Sequence, residues 1–249
     1  MTTHLSLAFI SSTVIELRLG TATSIATATL TLPIAWGTYI EVSATISSTV
    51  GTCSVLANGV TVIDFNGNTK NGGTNTTIDQ LSIGRIANGS GVYIDDLYIS
   101  NETGSAPYNT FLGDVRVATL SPTAAGASTQ MTPDSGANFS RVNEIPYSAS
   151  NYVSGATPAY RDTYTMADLP ANVATVYAVQ NNVIAKRTST GAIAVKPAIK
   201  SGASIYYGTS TPVTTSDATY TDLRTTDPAT STAWTVSGVN NLESGLEIA

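Results

Sequence analysis

The densest apolar stretch of the chain, residues 91–117, most constrains how the chain can fold. Its first part, residues 92–99, is too short for a helix and is rich in residues that favour β-strands. Turn-forming residues follow over 101–109, and a second strand is predicted over 114–118. Both faces of the first strand are largely apolar. We therefore expect residues 92–99 to form a central strand covered on both sides, the last core strand of a β-sandwich.

Short runs of β-forming residues ended by turn residues continue along the chain. Asn58-Gly59 between two such runs predicts a hairpin, because a type I′ turn needs two residues with positive φ. The polar residues 66–77 predict a long exposed loop. Thr235 as N-cap and Gly245 after the last turn predict one short helix. Further strands are predicted over residues 5–10, 14–19, 25–32, 39–46, 53–57, 60–65, 78–83, 192–195, 198–200, 205–207, 220–223 and 246–248, with two more in 173–187 around a turn or bulge at Asn181-Asn182.

These elements predict an all-β protein with little helix. A chain of 249 residues has room for two modules that each bury a core. We expect two β-sandwich, jelly-roll-like modules, the first over residues 1–120 and the second over 133–249. Residues 121–132 are rich in Ala, Gly, Ser and Thr, which predicts a linker between the modules.

The low charge content limits the classes of partner. Charged residues make up 11% of the chain, so its surface must consist mostly of neutral hydroxyl and amide groups. Such a surface packs beside copies of itself with little repulsion, as in a large assembly or an extracellular adhesin. The net charge is −6 and the few basic residues are scattered, so we do not expect nucleic acid as a partner.

The sequence also bears on localisation and redox chemistry. No basic residue precedes the first apolar run, which Ser6 interrupts, so no secretory signal is predicted. No stretch approaches the roughly 20 apolar residues of a membrane helix. We expect a protein made in the cytoplasm that stays there or is assembled into a particle. Cys53 is the only cysteine, which excludes an intrachain disulfide, and we predict that it is buried.

Three segments resemble the laminin-G-like, concanavalin A-like lectin sandwich. They are WGTYIEVSATI, which begins at Trp36, VLANGVTVIDF around Asn58-Gly59, and LSIGRIANGSGVYIDDLYISNETG, which contains Gly84 and Asp95-Asp96. The resemblance covers about residues 1–100, with a shorter N-terminal part than usual in the family. It implies a laminin-G-like fold for the first module, with early strands either missing or supplied by partner chains.

Two other segments are similar to phage and prophage virion proteins. They are YNTFLGDVRVATLSPTAAGASTQMTPD and, further along the chain, TDPATSTAWTVSGVNNLESGLEI. This resemblance covers most of the chain and is more specific than the lectin pattern, which fixes no function by itself. It implies a structural protein of a virion.

The sequence offers no complete catalytic set, so we expect no enzymatic activity. The only histidine, His4, lies at a chain end that we expect to be frayed. The neighbours Asp95 and Asp96 would face opposite ways on a strand and cannot flank one bond. The resemblance to laminin-G-like domains instead allows a Ca²⁺ site at the sandwich rim, although no spaced calcium loop motif is present. Its candidate ligands are Asp95, Asp96, Asn101 and Glu102, with Asp64 as a further oxygen partner; no other cofactor is expected.

Aromatic side chains suggest a second kind of site, since they can stack on sugars, although most aromatic residues pack in cores. Trp234, before the predicted helix, is expected to anchor that helix by packing on Val239; a sugar platform is the alternative. The candidates for carbohydrate binding are Trp36, Tyr39 and Tyr108, with Tyr93 and Tyr98 also considered.

Three functions therefore stay open. The first is a capsid decoration (cement) protein, whose partners are copies of itself and the major capsid protein or other virion proteins. The second is a tail, neck or fibre component that binds host-surface carbohydrate, and the third is a polysaccharide lyase or hydrolase. The first is preferred because the chain has neither repeats nor heptads of a fibre shaft. Few Lys or Pro residues protect its strand edges, so we also expect a homo-oligomer.

Overall fold

The structure is a computed structural model that describes residues 2–30, 38–83, 94–101 and 103–249. This part of the chain consists mostly of strands in antiparallel sheets, with one short α-helix and one short 3-10 helix. The prediction of an all-β fold is therefore confirmed, whereas the jelly-roll connectivity of two modules stays a prediction. The chain divides into two compact units, residues 1–117 and 118–249.

The first unit contains two three-stranded sheets that share one core. The sheet orders are β1-β2-β3 and β4-β5-β6, and all neighbours are antiparallel. Buried side chains of β2 and β5 meet in one cluster, as expected when alternate residues of each strand face inward. The strands are Leu5–Phe9 (β1), Val14–Leu19 (β2), Thr23–Thr29 (β3), Ile40–Thr45 (β4), Gly51–Ala57 (β5) and Val60–Gly67 (β6).

The predicted hairpin at Asn58-Gly59 is confirmed. It joins β5 to β6, and both turn residues have positive φ, 50° for Asn58 and 76° for Gly59. Asn58 also binds the neighbouring strand end. Its backbone N–H donates to Tyr39 O (2.8 Å), and its side-chain Oδ1 accepts from Tyr39 N (2.9 Å). The turn therefore fixes the register of all three strands in this sheet.

The loop predicted over residues 66–77 is only partly exposed. Residues 66–67 end β6, and Thr69 is fully buried. The Thr69 hydroxyl donates to Thr45 O (2.7 Å) and accepts from Ser47 N (3.0 Å). A Cβ at Gly51 would lie 2.8 Å from the Thr69 Cβ, so glycine is required where β5 begins. The polar sequence concealed this contact, because a threonine satisfied by backbone groups can be buried.

The N-terminal end is bound rather than frayed. His4 is buried, and its Nδ1 accepts a hydrogen bond from Asn71 N (3.2 Å). The Asn71 side-chain amide donates to Thr3 O (3.0 Å), and Gly20 N donates to His4 O (2.8 Å). The expectation of a frayed end was therefore wrong, since the chain end is held by a loop about 67 residues further along the sequence.

Among the described residues of the first unit, three segments predicted as strands are irregular. Residues 78–83 and 114–118 are described and form no strand, and neither do residues 94–99. Ile94, Leu97 and Ile99 are 51%, 53% and 73% exposed, so the expectation of a central strand covered on both sides is wrong for 94–99. Residues 92 and 93 lie outside the described residues. Strand propensity depends on a neighbouring strand, and none of the described strands pairs with these segments.

The second unit is built around one large antiparallel sheet. Its order is β13-β12-β18-β10-β7, with β14 beside β12; β11 pairs with β15, β8 with β9, and β16 with β17. The strands are Pro122–Thr129 (β7), Thr132–Pro133 (β8), Val153–Ser154 (β9), Arg161–Met166 (β10), Val179–Ala185 (β11), Ala194–Ser201 (β12), Ser204–Tyr207 (β13), Thr211–Pro212 (β14), Ala218–Arg224 (β15), Thr226–Asp227 (β16), Thr232–Ala233 (β17) and Glu243–Ile248 (β18); Asn138–Arg141 is a 3-10 helix, and Val236–Asn240 is the α-helix (α1).

The segment predicted as a linker, residues 121–132, instead contains β7 and the start of β8. A Cβ at Gly126 would lie 2.7 Å from the Thr163 carbonyl carbon, so the small residues of β7 are needed for its approach to β10. The pairing is irregular between Asp162 and Tyr164. There the N–H of Ala127 donates to Glu243 Oε2 (2.7 Å) instead of to a backbone carbonyl. The composition that suggested a linker thus reflects close strand packing.

Asp162 in β10 binds the chain directly after β7, the edge strand of the large sheet. Its side chain is fully buried, and its Oδ1 accepts from Gln130 N (2.6 Å) and Met131 N (2.8 Å). Its Oδ2 accepts from the Asn138 amide (2.5 Å) and the Tyr164 hydroxyl (3.0 Å). Burial and then the Asp162 charge raise the pKa of Tyr164, so this hydroxyl stays protonated and donates.

The strand β11 is continuous through Asn181, where a turn or bulge was predicted. Asn181 is buried, and its amide donates to Ala198 O (3.0 Å) and Gly245 O (2.8 Å). It therefore links β11 to the large sheet at β12 and β18. Likewise β12 is one strand that passes through Pro197, although two strands were predicted there.

The helix α1 begins as predicted but ends earlier. The Thr235 hydroxyl accepts from Gly238 N (2.9 Å), which confirms Thr235 as the N-cap. The C-cap is Asn241 rather than a glycine. Gly245 instead lies in β18, where a Cβ would be 2.9 Å from Thr163 Cα. This glycine is needed for strand packing and not for a helix end.

Trp234 packs in the core, as predicted. It is 4% exposed and belongs to a buried cluster with Val239, Leu242 and Ile199. Its indole Nε1 donates to Arg224 O (2.9 Å), so the one polar atom of the ring is satisfied. The same residue thus joins α1 to β12 and to the end of β15.

Replacing Trp234 by Ala should destabilise the second unit. The substitution removes a large buried ring and leaves Arg224 O without its donor, so we expect a loss on the order of 3–5 kcal/mol of unfolding free energy. Urea unfolding of the full chain measures it. Leu223→Ala is the control, because Leu223 is 60% exposed and should change stability by less than about 0.5 kcal/mol. Equal stability of Trp234→Ala and the wild type would contradict the assignment.

Candidate functional site

The proposed calcium ligands Asp95 and Asp96 bind different groups of the chain itself. Asp96 has a φ of 55°, and its carboxylate accepts from Val117 N (2.7 Å) and from Arg116 (2.9 Å). Hydrogen bonds from Val117 N and then Arg116 hold the pKa of Asp96 below its usual value. The Asp95 Oδ1 accepts from the N–H of Asp96 (2.9 Å). The guanidinium of Arg116 therefore occupies the place at Asp96 where a cation would bind.

The other calcium candidates do not join these two. The Asn101 Oδ1 accepts from the N–H and the hydroxyl of Thr103 (3.0 and 2.5 Å), and Asp64 lies in β6 opposite Ser54. Glu102 lies outside the described residues. Within the described ranges, no group of three or more His, Cys, Asp or Glu side chains has a metal-binding arrangement. A calcium site stays a prediction.

A buried carboxylate that the sequence analysis did not single out lies on the first unit's second sheet. Glu41 in β4 is 4% exposed. One of its oxygens, Oε1, accepts from the Tyr98 hydroxyl (2.6 Å) and from Gly113 N (3.0 Å), while the same hydroxyl accepts from Leu112 N (3.3 Å). Alternation in β4 placed Glu41 on the polar side of the strand. Strand alternation alone could not indicate that residues 94–101 and 103–117 contact that side.

This Glu41–Tyr98 cluster attaches residues 94–101 and 103–117 to β4. Burial and then the bond to Glu41 raise the pKa of Tyr98, so its hydroxyl stays a donor near neutral pH. Glu41 offers acceptor oxygens, and the chain itself supplies the donors. The arrangement therefore fastens a polypeptide segment, and its hydrogen-bonding groups are directed at one another.

Only some of the predicted sugar-binding aromatics lie in the described part of the chain. Trp36 and Tyr93 lie outside the described residues. Tyr39 and Tyr108 are both half-buried. The hydroxyl of Tyr39 is buried, and burial raises its pKa. The backbone N–H of Tyr108 donates to Ser105 O in a turn (3.2 Å). Carbohydrate binding by these residues stays a prediction.

More exposed tyrosines lie in the second unit. Tyr147, Tyr152 and Tyr160 are 51%, 52% and 41% exposed. They belong to a stretch between β8 and β10 with little regular structure. The sequence of this stretch has no hydrophobic periodicity that would have indicated these tyrosines as candidate site residues. An aromatic ring held at the surface can stack on a sugar or pack against a protein.

A polar network fixes the base of this tyrosine-bearing loop. The Arg141 guanidinium donates to both carboxylate oxygens of Asp134 (2.7 and 2.8 Å), and the N–H of Tyr152 donates to Asp134 Oδ1 (3.3 Å). Arg141 also binds Asn151, which binds Glu144. The Arg141 hydrogen bonds lower the pKa of Asp134 to about 2. The loop is therefore held by charges that persist well into acid.

The charges on the large sheet are also paired internally. Lys196 and Arg161 lie 3.1 and 3.8 Å from the Glu247 carboxylate, and Lys200 lies 2.8 Å from that of Glu243. Burial alone would raise the pKa of Glu243, but hydrogen bonds from Ala127 N and Lys200 outweigh it and lower the pKa. These charged side chains therefore form ion pairs with one another within the sheet.

Cys53 is fully buried in the first core, as predicted, and burial raises the pKa of its thiol to about 11. A protonated thiol inside the core is a weak nucleophile. His4 is engaged by Asn71 N, as described above.

Comparison of the chain with protein-family models, with curated proteins and with solved structures finds no match. Among the described residues, none of the helices has the length and apolar content needed to cross a membrane.

Tyr98→Phe should loosen residues 94–117. It removes one of the donors to the buried Glu41 carboxylate, which should cost about 1–3 kcal/mol locally. We expect proteases to cut this segment faster than in the wild type, as measured by limited proteolysis and mass spectrometry. Tyr152→Phe is the matched control, because that ring is 52% exposed and lies in the other unit. Identical cleavage of Tyr98→Phe and the wild type would rule out the attachment role.

The Asp134–Arg141 pair should make the tyrosine-bearing loop acid-sensitive only at low pH. Because the folded-state pKa of Asp134 is lowered to about 2 from 3.8, its stabilising effect is present above the unfolded value and is lost as the pH falls towards 2. The protection factors of residues 134–152 against hydrogen exchange, taken relative to the intrinsic rate at each pH, should fall from pH 5 to pH 2 more in the wild type than in Asp134→Asn. The same fall of the protection factors in both proteins would assign the acid response to another carboxylate.

Proposed function

We propose that the chain is a non-enzymatic structural protein of a phage virion and that it serves as a capsid decoration (cement) protein. The observation that carries this proposal is that residues 94–99 hold apolar side chains outward and bind the chain with their polar side chains. Their polar members Asp96 and Tyr98 bind the chain's own groups, whereas Leu97 and Ile99 are 53% and 73% exposed. Apolar side chains held outward in this way are typical of a surface that another protein covers.

The low charge content supports the same role. Charged residues make up 11% of the chain, and many of the carboxylates among the described residues bind groups of the chain itself. A surface with few unpaired charges can approach a densely packed lattice without strong repulsion.

The assignment to a phage rests on the resemblance of residues 108–134 and 226–248 to virion proteins. Residues 118–134 of the first segment and all of the second segment are parts of the framework of the second unit, whereas residues 108–117 belong to the first unit. The first contributes β7, and the second contributes the turn at Asp227, the buried Trp234 and β18. Their resemblance thus concerns residues that the fold requires, which supports a shared structural role rather than a shared ligand site.

A tail, neck or fibre component that binds host-surface carbohydrate is the second candidate. Three exposed tyrosines on a loop of the second unit favour it, because exposed rings are the usual stacking surface for sugars. Binding of purified protein to a glycan array, lost in Tyr152→Ala combined with Tyr160→Ala, would support this candidate.

Mass spectrometry of purified virions from the phage that encodes the chain tests the proposal. We expect hundreds of copies per particle, since a decoration protein occupies repeated positions on a capsid. The major capsid protein in the same sample is the internal standard. Copy numbers in the tens or fewer would favour the tail or fibre candidate. Absence from purified particles would overturn the virion assignment.

A further inference from the structure

The only histidine of the chain, His4, is buried in a contact between two distant segments. Its ring nitrogen Nδ1 accepts a hydrogen bond from Asn71 N (3.2 Å), and its backbone O accepts from Gly20 N (2.8 Å). Imidazole is the side chain whose charge ordinarily changes between about pH 5 and pH 8. The chain therefore places its one group of this kind where a change of charge meets the fold directly.

The bond from Asn71 requires the neutral form of the His4 ring. A backbone N–H can only donate, so Nδ1 must offer a lone pair, and only the neutral imidazole has one. The protonated ring carries a hydrogen on both nitrogens, and the hydrogen on Nδ1 would oppose the N–H of Asn71. A positive charge at this buried place would also lack the water that stabilises it outside. The closed contact therefore excludes a proton that an exposed ring accepts in mild acid.

This contact joins the two sheets of the first unit. His4 directly precedes β1, the edge strand of the first sheet, whereas Asn71 follows β6 of the second sheet. The Asn71 side-chain amide also donates to Thr3 O (3.0 Å). Close to Asn71 in sequence, the buried Thr69 donates to Thr45 O at the end of β4. Residues 3 and 4 are therefore tied to a segment that the second sheet holds in place.

The charged groups on these segments offer no free carboxylate to a protonated ring. Within residues 2–30 and 60–77 the charged residues are Glu16 and Arg18 in β2, Asp64 in β6 and Lys70. The Glu16 carboxylate binds the Arg18 guanidinium (2.5 Å). Hydrogen bonds from Ser24 and then Arg18 lower the pKa of Glu16, so this carboxylate stays ionised and engaged in mild acid. Asp64 is exposed and lies opposite Ser54, and Lys70 has the same sign of charge as a protonated imidazole.

We propose that His4 is a pH-sensitive latch, closed on Asn71 while its ring is neutral and released when the ring takes up a proton in mild acid. The open form binds the proton that the closed form excludes, so the equilibrium shifts towards the open form as the pH falls through the range of histidine. Each pH unit below that range raises the open population by up to about tenfold. Release frees the residues before β1 from the segment after β6. The latch concerns the first unit alone and does not depend on a place in a virion.

Hydrogen exchange of the purified full chain, followed by NMR at about pH 7.5 and about pH 5.5, tests the latch. The amides of Asn71 and Gly20 are the direct probes, because both donate to His4. Their protection factors, taken relative to the intrinsic rate at each pH, should fall at least about tenfold in the wild type. Residues 53–57 in β5, which line the core of the same unit, should keep their protection factors.

His4→Gln is the matched control. The glutamine side-chain oxygen can accept from Asn71 N, and it does not titrate. The protection factors of Asn71 and Gly20 in this variant should change less than about twofold between the two pH values. An equal fall in the wild type and in His4→Gln would overturn the proposal, because the acid response would then come from another group.

The single imidazole allows a second measurement. In ¹⁵N NMR spectra of the wild type, Nδ1 of His4 should be unprotonated at about pH 7.5, and its protonation should coincide with the loss of protection at Asn71. Protonation of the ring while the Asn71 amide keeps its protection factor would contradict the latch. A simultaneous fall at residues 53–57 would contradict it as well, because acid would then open the whole unit.

Discussion

The second unit depends on one buried carboxylate. Asp162 is fully buried and accepts from two backbone N–H groups, an amide and a phenol. A buried carboxylate is tolerated only where donors replace the water it has lost. These donors come from the chain after β7, from the 3-10 helix and from β10 itself. The carboxylate of Asp162 therefore joins three segments: residues 130–131, the 3-10 helix and β10.

Carboxylates that accept hydrogen bonds from backbone N–H groups occur in both units. Glu243 accepts from Ala127 N where the pairing of β7 with β10 is irregular, and Glu41 accepts from Gly113 N where residues 94–117 fold over β4. In each case a side-chain oxygen takes the place of a strand carbonyl. Irregular segments are thereby fixed without a long ladder of backbone bonds. Removing one such acceptor leaves donors unpaired, which costs more than the loss of an ordinary exposed ion pair.

The internal hydrogen bonds of the acidic side chains are also relevant to the proposed role in a virion. The chain has 17 acidic and 11 basic residues in 249, and several of the acidic ones serve internal hydrogen bonds. At the same time, the Glu41–Tyr98 cluster holds apolar residues outward. The outward Leu97 and Ile99 and the low charge content are the two features on which the proposed role rests.

The sequence by itself determined the β class, the Asn58-Gly59 hairpin, the burial of Cys53 and Trp234, and the N-cap of α1. Each depends on local chemistry: turn geometry, strand alternation, the size of an apolar ring or a hydroxyl near free N–H groups. Only the tertiary structure decided that residues 94–99 form no central strand, that part of 121–132 is an edge strand, and that Gly245 lies in a strand. It also decided that Glu41 and Asp162 are buried. These outcomes depend on which distant groups meet, since strand pairing and the satisfaction of a buried charge need partners that adjacent residues cannot specify.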